Sequence, residues 1–116
     1  MYHCHLRFYL TGCPCSVFES IKEILPFEHF AHEFFESVEL ETEQACGADV
    51  ILLNLMGREV QKRLPTLLEA KKTETDLIVL ADKSQIPELE EYLEAVRDIW
   101  VMPMTDAEAR FRFQKW

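Results

Sequence analysis

Two cysteines stand two residues apart in Thr11-Gly12-Cys13-Pro14-Cys15, directly after the apolar run Leu6-Arg7-Phe8-Tyr9-Leu10. A thiol at a strand-to-helix turn lies near a helix N-terminus, whose dipole favours the thiolate. Cys13 and Cys15 are therefore candidate redox residues. Their C-x-C spacing would close a small, strained disulfide ring. The plainer alternative is a pair of small side chains filling a tight turn. Cys4 and Cys46, with His3, His5, His29 and His32, add groups that bind metals, but none of their spacings is that of a structural zinc site. No metal and no cofactor is expected. Asn54 closes a second apolar run, Asp49-Val50-Ile51-Leu52-Leu53-Asn54-Leu55. Asp82 follows a third, and Glu59 lies near the second, yet no second carboxylate obviously joins either. There is no glycine-rich phosphate loop and no nucleophile elbow.

The elements that must position these groups are short dense runs alternating with helical spacing. Leu6–Leu10 reads as a strand. Ser16–Leu25 reads as a helix, with Val17, Phe18, Ile21, Ile24 and Leu25 on one stripe, a capping-box pair Ser16/Glu19 at its start and Pro26 at its end. His29–Phe35 reads as a second strand and Ser37–Ala45 as a short acidic helix; one longer helix over both is the alternative. Asp49–Leu55 is apolar enough to be buried on both faces of a parallel sheet. Arg58–Lys72 is helical in composition, started or kinked by Pro65. Asp76–Ala81 is another apolar strand, and Ser84–Val96 a helix with Leu89, Tyr92, Leu93 and Val96 on one face. Ile99–Met102 is a last strand, and Thr105–Trp116 a last helix opened by a Thr105/Glu108 capping box. This β-α alternation predicts an α/β, flavodoxin-like, doubly wound five-stranded parallel sheet of order 2-1-3-4-5, with helices on both faces.

A chain of 116 residues fits one domain, here residues 1–116. Twelve Lys and Arg against 21 Asp and Glu give a net charge of −9. That sign disfavours nucleic acid and anionic membranes as partners. No apolar run is long enough to span a membrane, and the N-terminus lacks the features of a signal peptide, so a cytoplasmic location is expected.

Three segments resemble the response-regulator receiver family. Asp49–Met56 is similar to the family's third strand with its phosphoacceptor. Leu77–Lys83 is similar to the fourth strand with its terminal hydroxyl residue. Asp98–Pro103 is similar to the fifth strand with its Lys-Pro pair. The resemblance implies five functional positions, and the sequence departs at each. Thr11 and Gly12 stand where the family has an acidic pair for a divalent metal. Asn54 replaces the phosphoacceptor aspartate, Ala81 the hydroxyl residue and Met102 the lysine. Ile99 holds the position of an aromatic switch. An amide is a poor nucleophile, and magnesium prefers hard carboxylate oxygens. Phe8–Pro14 also has some similarity to a glutaredoxin opening, although the antiparallel hairpin of that fold is missing.

The resemblance implies a degenerate receiver: a regulatory, protein-interaction module that is neither an enzyme nor a phosphate acceptor. The alternative is a thiol-based redox sensor using Cys13 and Cys15. Residues 104–116 are similar to the joint that leads into a sensor (PAS) and diguanylate cyclase region in bacterial signalling proteins, or alternatively into a histidine kinase. The last helix has no stop signal and is expected to continue. Receivers commonly pair through their fourth helix, fifth strand and fifth helix. The candidate interface residues are Leu89, Tyr92, Trp100, Arg110, Phe111, Arg112, Phe113 and Trp116.

Overall fold

The computed structural model describes residues 5–24 and 31–115. Five parallel strands, β1 (His5–Thr11), β2 (Ala31–Ser37), β3 (Val50–Asn54), β4 (Asp76–Asp82) and β5 (Asp98–Met102), form one sheet. Its order is β2-β1-β3-β4-β5, as the alternation predicts. The α-helices among the described residues are α1 (Ser16–Ile24), α2 (Thr42–Gly47), α3 (Val60–Ala70), α4 (Ile86–Leu89) and α5 (Asp106–Lys115).

Strand alternation sorts the apolar side chains into two cores. On one face Phe8, Leu10, Leu52, Ile78, Leu80 and Trp100 meet Val17, Phe18 and Ile21 of α1 and Ala109 and Phe113 of α5. On the other Tyr9, Ile51, Leu53, Leu77 and Val79 meet Val60, Leu64 and Leu67 of α3, Ala45 of α2 and Leu89 of α4. Both central strands, β3 and β4, are buried on both faces, which is why their sequences lack alternation.

Several elements differ from expectation. β2 and α2 lie further along the chain than the pattern suggested. Phe34 and Phe35 pair in register with Phe8 and Tyr9, and Ser37 with Thr11, so the strand runs on to Ser37. The Ser37 hydroxyl shares a 2.6 Å hydrogen bond with the Tyr9 hydroxyl, which also accepts the Glu41 N–H at 2.8 Å, ahead of α2. His29, Pro26 and Leu25 lie outside the described residues, as do His3 and Cys4. The Ser16/Glu19 capping box is not formed. Cys15 takes the cap position: the N–H groups of Phe18 and Val17 point at its sulfur. The Ser16 hydroxyl instead donates to Asp106 Oδ1 at 3.1 Å, joining α1 to α5. At α5 the Glu108 N–H donates to Thr105 Oγ1 at 3.1 Å, which is one half of the expected box.

The expected Ser84–Val96 helix is broken. Only Ile86–Leu89 is α-helical, between tighter turns at Lys83–Gln85 and Glu90–Tyr92. A 3₁₀ turn rotates each residue further, by roughly 60° in total over three residues, which moves Leu93 off the stripe. Leu93 is 57% exposed, while Leu89 is 1% exposed. Like charges at Glu90 and Glu94 further weaken a continuous helix.

The candidate interface divides in the same way. Leu89, Trp100 and Phe113 fill this domain's own cores, so they are not surface residues. The Trp100 indole N–H donates to Asp98 Oδ2 at 2.8 Å. Tyr92 is half-buried, its hydroxyl donating to Gln61 Oε1 at 3.0 Å. Arg112 lies 3.6 Å from both Asp98 and Glu108. Phe111 is 58% exposed. Trp116 is outside the described residues.

Candidate functional site

In a doubly wound sheet, ligands meet the carboxyl ends of the strands. Asn54 ends β3 there, 3% exposed. Each polar atom of its side chain has a backbone partner. Asn54 Nδ2 donates to the Cys13 carbonyl at 2.8 Å, and Oδ1 accepts the Met56 N–H at 3.1 Å. The amide thus ties the β1–α1 turn to the β3–α3 turn. An aspartate could not make the first of these bonds while ionised.

Gly12 lies against the same residue. Its φ is +109°, and a Cβ there would sit 2.5 Å from the Asn54 carbonyl oxygen. No side chain fits, so this position is closed to a carboxylate by sterics as well as by sequence. Gly12 and Asn54, both departing positions, are brought into contact by the fold. Thr11 and Ala81 are buried. Ala81 belongs to the α2–α3–α4 face and Met102 to the α1–α5 face. Thr11 lines a separate cavity beside α3. Ile99 is partly buried against the α2–α3–α4 core.

The divalent cation that the receiver resemblance implies does not fit these residues. Glycine offers no side chain, Asn54 has both amide groups committed, and no carboxylate occupies the positions of the acidic pair. Among the described residues, no three His, Cys, Asp or Glu side chains gather as metal ligands.

Gln85 was not singled out by the sequence pattern, yet it organises the strand ends. Its Nε2 donates to the Leu55 carbonyl at 2.6 Å and the Arg58 carbonyl at 3.0 Å, and its Oε1 accepts the Asp82 N–H at 2.9 Å. One buried side chain therefore straps the turn after β3 to the turn after β4. The available signal was the capping-box spacing Asp82-x-x-Gln85, which the structure forms. Beside this strap is a cleft of about 410 Å³ lined by Arg58, Glu59, Asp82 and Glu88 among others.

The two candidate redox thiols serve different neighbours. Cys13 Sγ lies 2.9 Å from Arg58 Nη2. Cys15 is half-buried at the α1 cap. Burial pushes its thiol pKa up, Glu36 and Asp106 add to the rise, and the Phe18 and Val17 N–H groups pull the other way. A raised pKa works against a reactive thiolate, and the geometry gives no support to dithiol chemistry.

No family model and no curated protein matches the sequence. Solved structures do. An adenylate cyclase from Rhodopirellula baltica aligns over 97% of this chain and 87% of its own, at 13% identity and a TM-score of 0.66. A pilus assembly protein, CpaE, from Caulobacter crescentus aligns over 96% of this chain and 99% of its own, at 12% identity and TM-score 0.61. The ChxR receiver domain from Chlamydia trachomatis aligns over 96% and 99%, at 16% identity and TM-score 0.57. Identities this low speak for the fold and not for the chemistry. Among the described residues no helix is long and apolar enough to cross a membrane. In strand order, connectivity and near-complete structural overlap, the chain carries a receiver-like α/β fold.

Proposed function

We propose that this domain is a receiver-like regulatory module that neither accepts a phosphoryl group nor catalyses a reaction, and that acts by protein–protein contact. The observation that carries this reading is the Asn54 amide. It occupies the acceptor position with both polar atoms bonded to neighbouring backbone, beside a Gly12 that leaves no room for a side chain. A site with no nucleophile, no acidic pair and no lysine at Met102 has nothing to attack, hold or read a phosphoryl group. The module is assigned to bacterial signal transduction, coupled through α5 to an output region of the same protein, of the diguanylate cyclase or histidine kinase kind. A cytoplasmic setting goes with this reading.

The test is incubation with acetyl phosphate and magnesium, read by intact mass. The expected result is no phosphoryl adduct on the protein or on the Asn54→Asp variant, because one carboxylate does not restore the other positions. An adduct on the unsubstituted chain would overturn the reading. The proposed self-association uses the surface of residues 86–95, β5 and α5. Exposed Ile86 and Leu93 lie there among Glu88, Glu90, Glu91 and Glu94, and Arg110 and Arg112 lie on α5. Sedimentation equilibrium should show a dimer that weakens with salt and with the double change Arg110→Glu, Arg112→Glu. A monomer under all conditions would remove self-association from the proposal.

A further inference from the structure

Thr11 is 1% exposed, at the end of β1. Its hydroxyl makes no hydrogen bond to any described residue. Every fully enclosed side-chain nitrogen or oxygen among the described residues does have a partner. The accessible sliver of Thr11 is therefore its hydroxyl, and Thr11 lines a cavity of about 230 Å³ between β1, β3, α3 and the loop before α2. Leu53 and Leu67, both buried, and Leu40, partly buried, give this cavity an apolar wall. Its polar rim is formed by Arg63, Lys62, Glu39, Thr42 and Thr66.

The rim brings two positive side chains to the cavity on a chain whose net charge is −9, each already paired with one carboxylate. Arg63 is the inner cation, its side chain 26% exposed, and it pairs with Glu39 at 3.4 Å. Lys62 is 76% exposed and pairs with Glu59 at 3.2 Å. Exposed pairs of this kind are weak and readily exchanged for another carboxylate. The Thr66 hydroxyl is turned to its own helix, donating to the Lys62 carbonyl at 3.0 Å. The volume is below the roughly 300–1,000 Å³ of pockets that bury drug-sized ligands. It suits a compact molecule with an anionic end, an apolar middle and a hydrogen-bonding far end.

We propose that this cavity binds a small hydroxy acid, its carboxylate on Arg63, its hydrocarbon body against Leu40, Leu53 and Leu67, and its hydroxyl on Thr11. The site is separate from Asn54, and the proposal stands whether or not the domain accepts phosphate. It makes the domain a receptor for a metabolite-sized anion.

The experiment is an NMR titration of the ¹⁵N-labelled chain with three probes: 4-hydroxybenzoate, benzoate and 4-hydroxybenzyl alcohol. Saturable shifts are expected at residues 11, 40, 53, 63, 66 and 67, with 4-hydroxybenzoate tightest and the neutral alcohol weakest. Thr11→Val should weaken 4-hydroxybenzoate about fivefold, one net hydrogen bond, and bring it level with benzoate. Thr11→Ser should restore the difference. Arg63→Gln should weaken both acids about tenfold, the value of a charge-assisted bond. Glu39→Gln, which removes the competing carboxylate, should tighten both. If Thr11→Val does not fold, Thr66→Trp at the exposed mouth should abolish binding. The proposal is overturned by no saturable shift at about 10 mM, weaker than a fragment with good ligand efficiency should bind. It is equally overturned by shifts centred elsewhere, by the alcohol binding as well as the acid, or by binding that survives Thr66→Trp.

Discussion

The two faces of the sheet are covered by different means. On one, α1 and α5 lay aromatic bulk on the strands. Phe8 stacks on Phe34 at 5.3 Å, Phe113 tilts against Phe8 at 5.8 Å, and Trp100 meets Phe113 edge-on at 6.5 Å. On the other, α3 is flanked by a six-residue α2 and a four-residue α4, and clefts open beside these elements. Where helices are short, polar side chains do the joining: Gln85 across the turns after β3 and β4, and Tyr9 with Ser37 before α2. Both faces bury an apolar core; the first adds aromatic stacking under two longer helices, and the second adds buried polar links where its helices are short. The cavities described above lie on the side of the short helices and loops, where binding residues are commonly carried.

Removing volume from the first face should have the largest effect. Phe113→Ala is expected to lower stability by about 3–5 kcal/mol, the range for a buried aromatic truncated to alanine. Urea unfolding measures it as a lower midpoint at constant slope. Leu89→Ala under the short α4 should fall at the low end of the ~2–5 kcal/mol range for Leu→Ala, because a four-residue helix can settle into the space. Equal losses at the two sites would erase the contrast.

Gln85→Leu tests the directed bonds. It removes the Gln85 partner of the Arg58 carbonyl and the Asp82 N–H, while the Leu55 carbonyl keeps the Arg58 N–H at 2.9 Å, at a cost of about 1–3 kcal/mol. Hydrogen exchange should rise in residues 55–58 and 82–85 and stay low in β1 and α5. Exchange that rises uniformly would mean that Gln85 supports the whole fold and not one strap.

Asn54→Asp should cost about 1–3 kcal/mol near neutral pH, since it sets a buried carboxylate against the Cys13 carbonyl. Burial and the facing carbonyl both raise the folded-state pKa of such an aspartate above its unfolded value of about 3.9. The folded state then holds the proton more tightly than the unfolded one. Relative to the parent chain, the deficit should be smallest below about pH 4 and grow as pH rises through the raised folded pKa. A deficit independent of pH would show that the new carboxylate has turned out to water.

The same contrast explains what could be read from the sequence. β3 and β4 are legible because two-sided burial leaves no polar residue between Val50 and Leu53 or between Leu77 and Ala81. The α1 stripe was legible for a similar reason: Val17, Phe18 and Ile21 face one wall of side chains. The α4 region misled because Leu89, Tyr92, Leu93 and Val96 fit helical spacing while Gln85, a polar residue, sets the path of the backbone. Periodicity has no term for a buried glutamine bonded to three backbone groups. The departures at Gly12 and Asn54 were visible by position, but not that they touch, nor that Thr11 opens into a different cavity. Leu89, Trp100 and Phe113 lie on the expected interface by position yet point inward, because residues near a surface strand or helix end can still face the core. Phe111 and Phe113 are two apart on α5, and only one is buried.

The smallest expected effect is at Cys15, where the helix of the first face meets the strand ends. The thiol serves as the cap of α1 and packs against the aromatic core. Cys15→Ala should cost about 0.5–1 kcal/mol, the loss of a modest cap. The sharper signature is in its pH dependence. Desolvation raises the folded-state pKa of this thiol, so the folded chain holds the proton more tightly than the unfolded chain does. The stabilisation is therefore complete below the unfolded thiol pKa of about 8.5 and is lost as pH rises through the higher folded value. The parent chain should lose stability on this alkaline limb faster than Cys15→Ala. In the same range iodoacetamide should modify Cys15 more slowly than the exposed Cys46, because the thiolate is the reacting form. Cys15 reacting faster than Cys46 at neutral pH would put a reactive thiol at the helix end. The first face would then carry chemistry of its own instead of serving only as support.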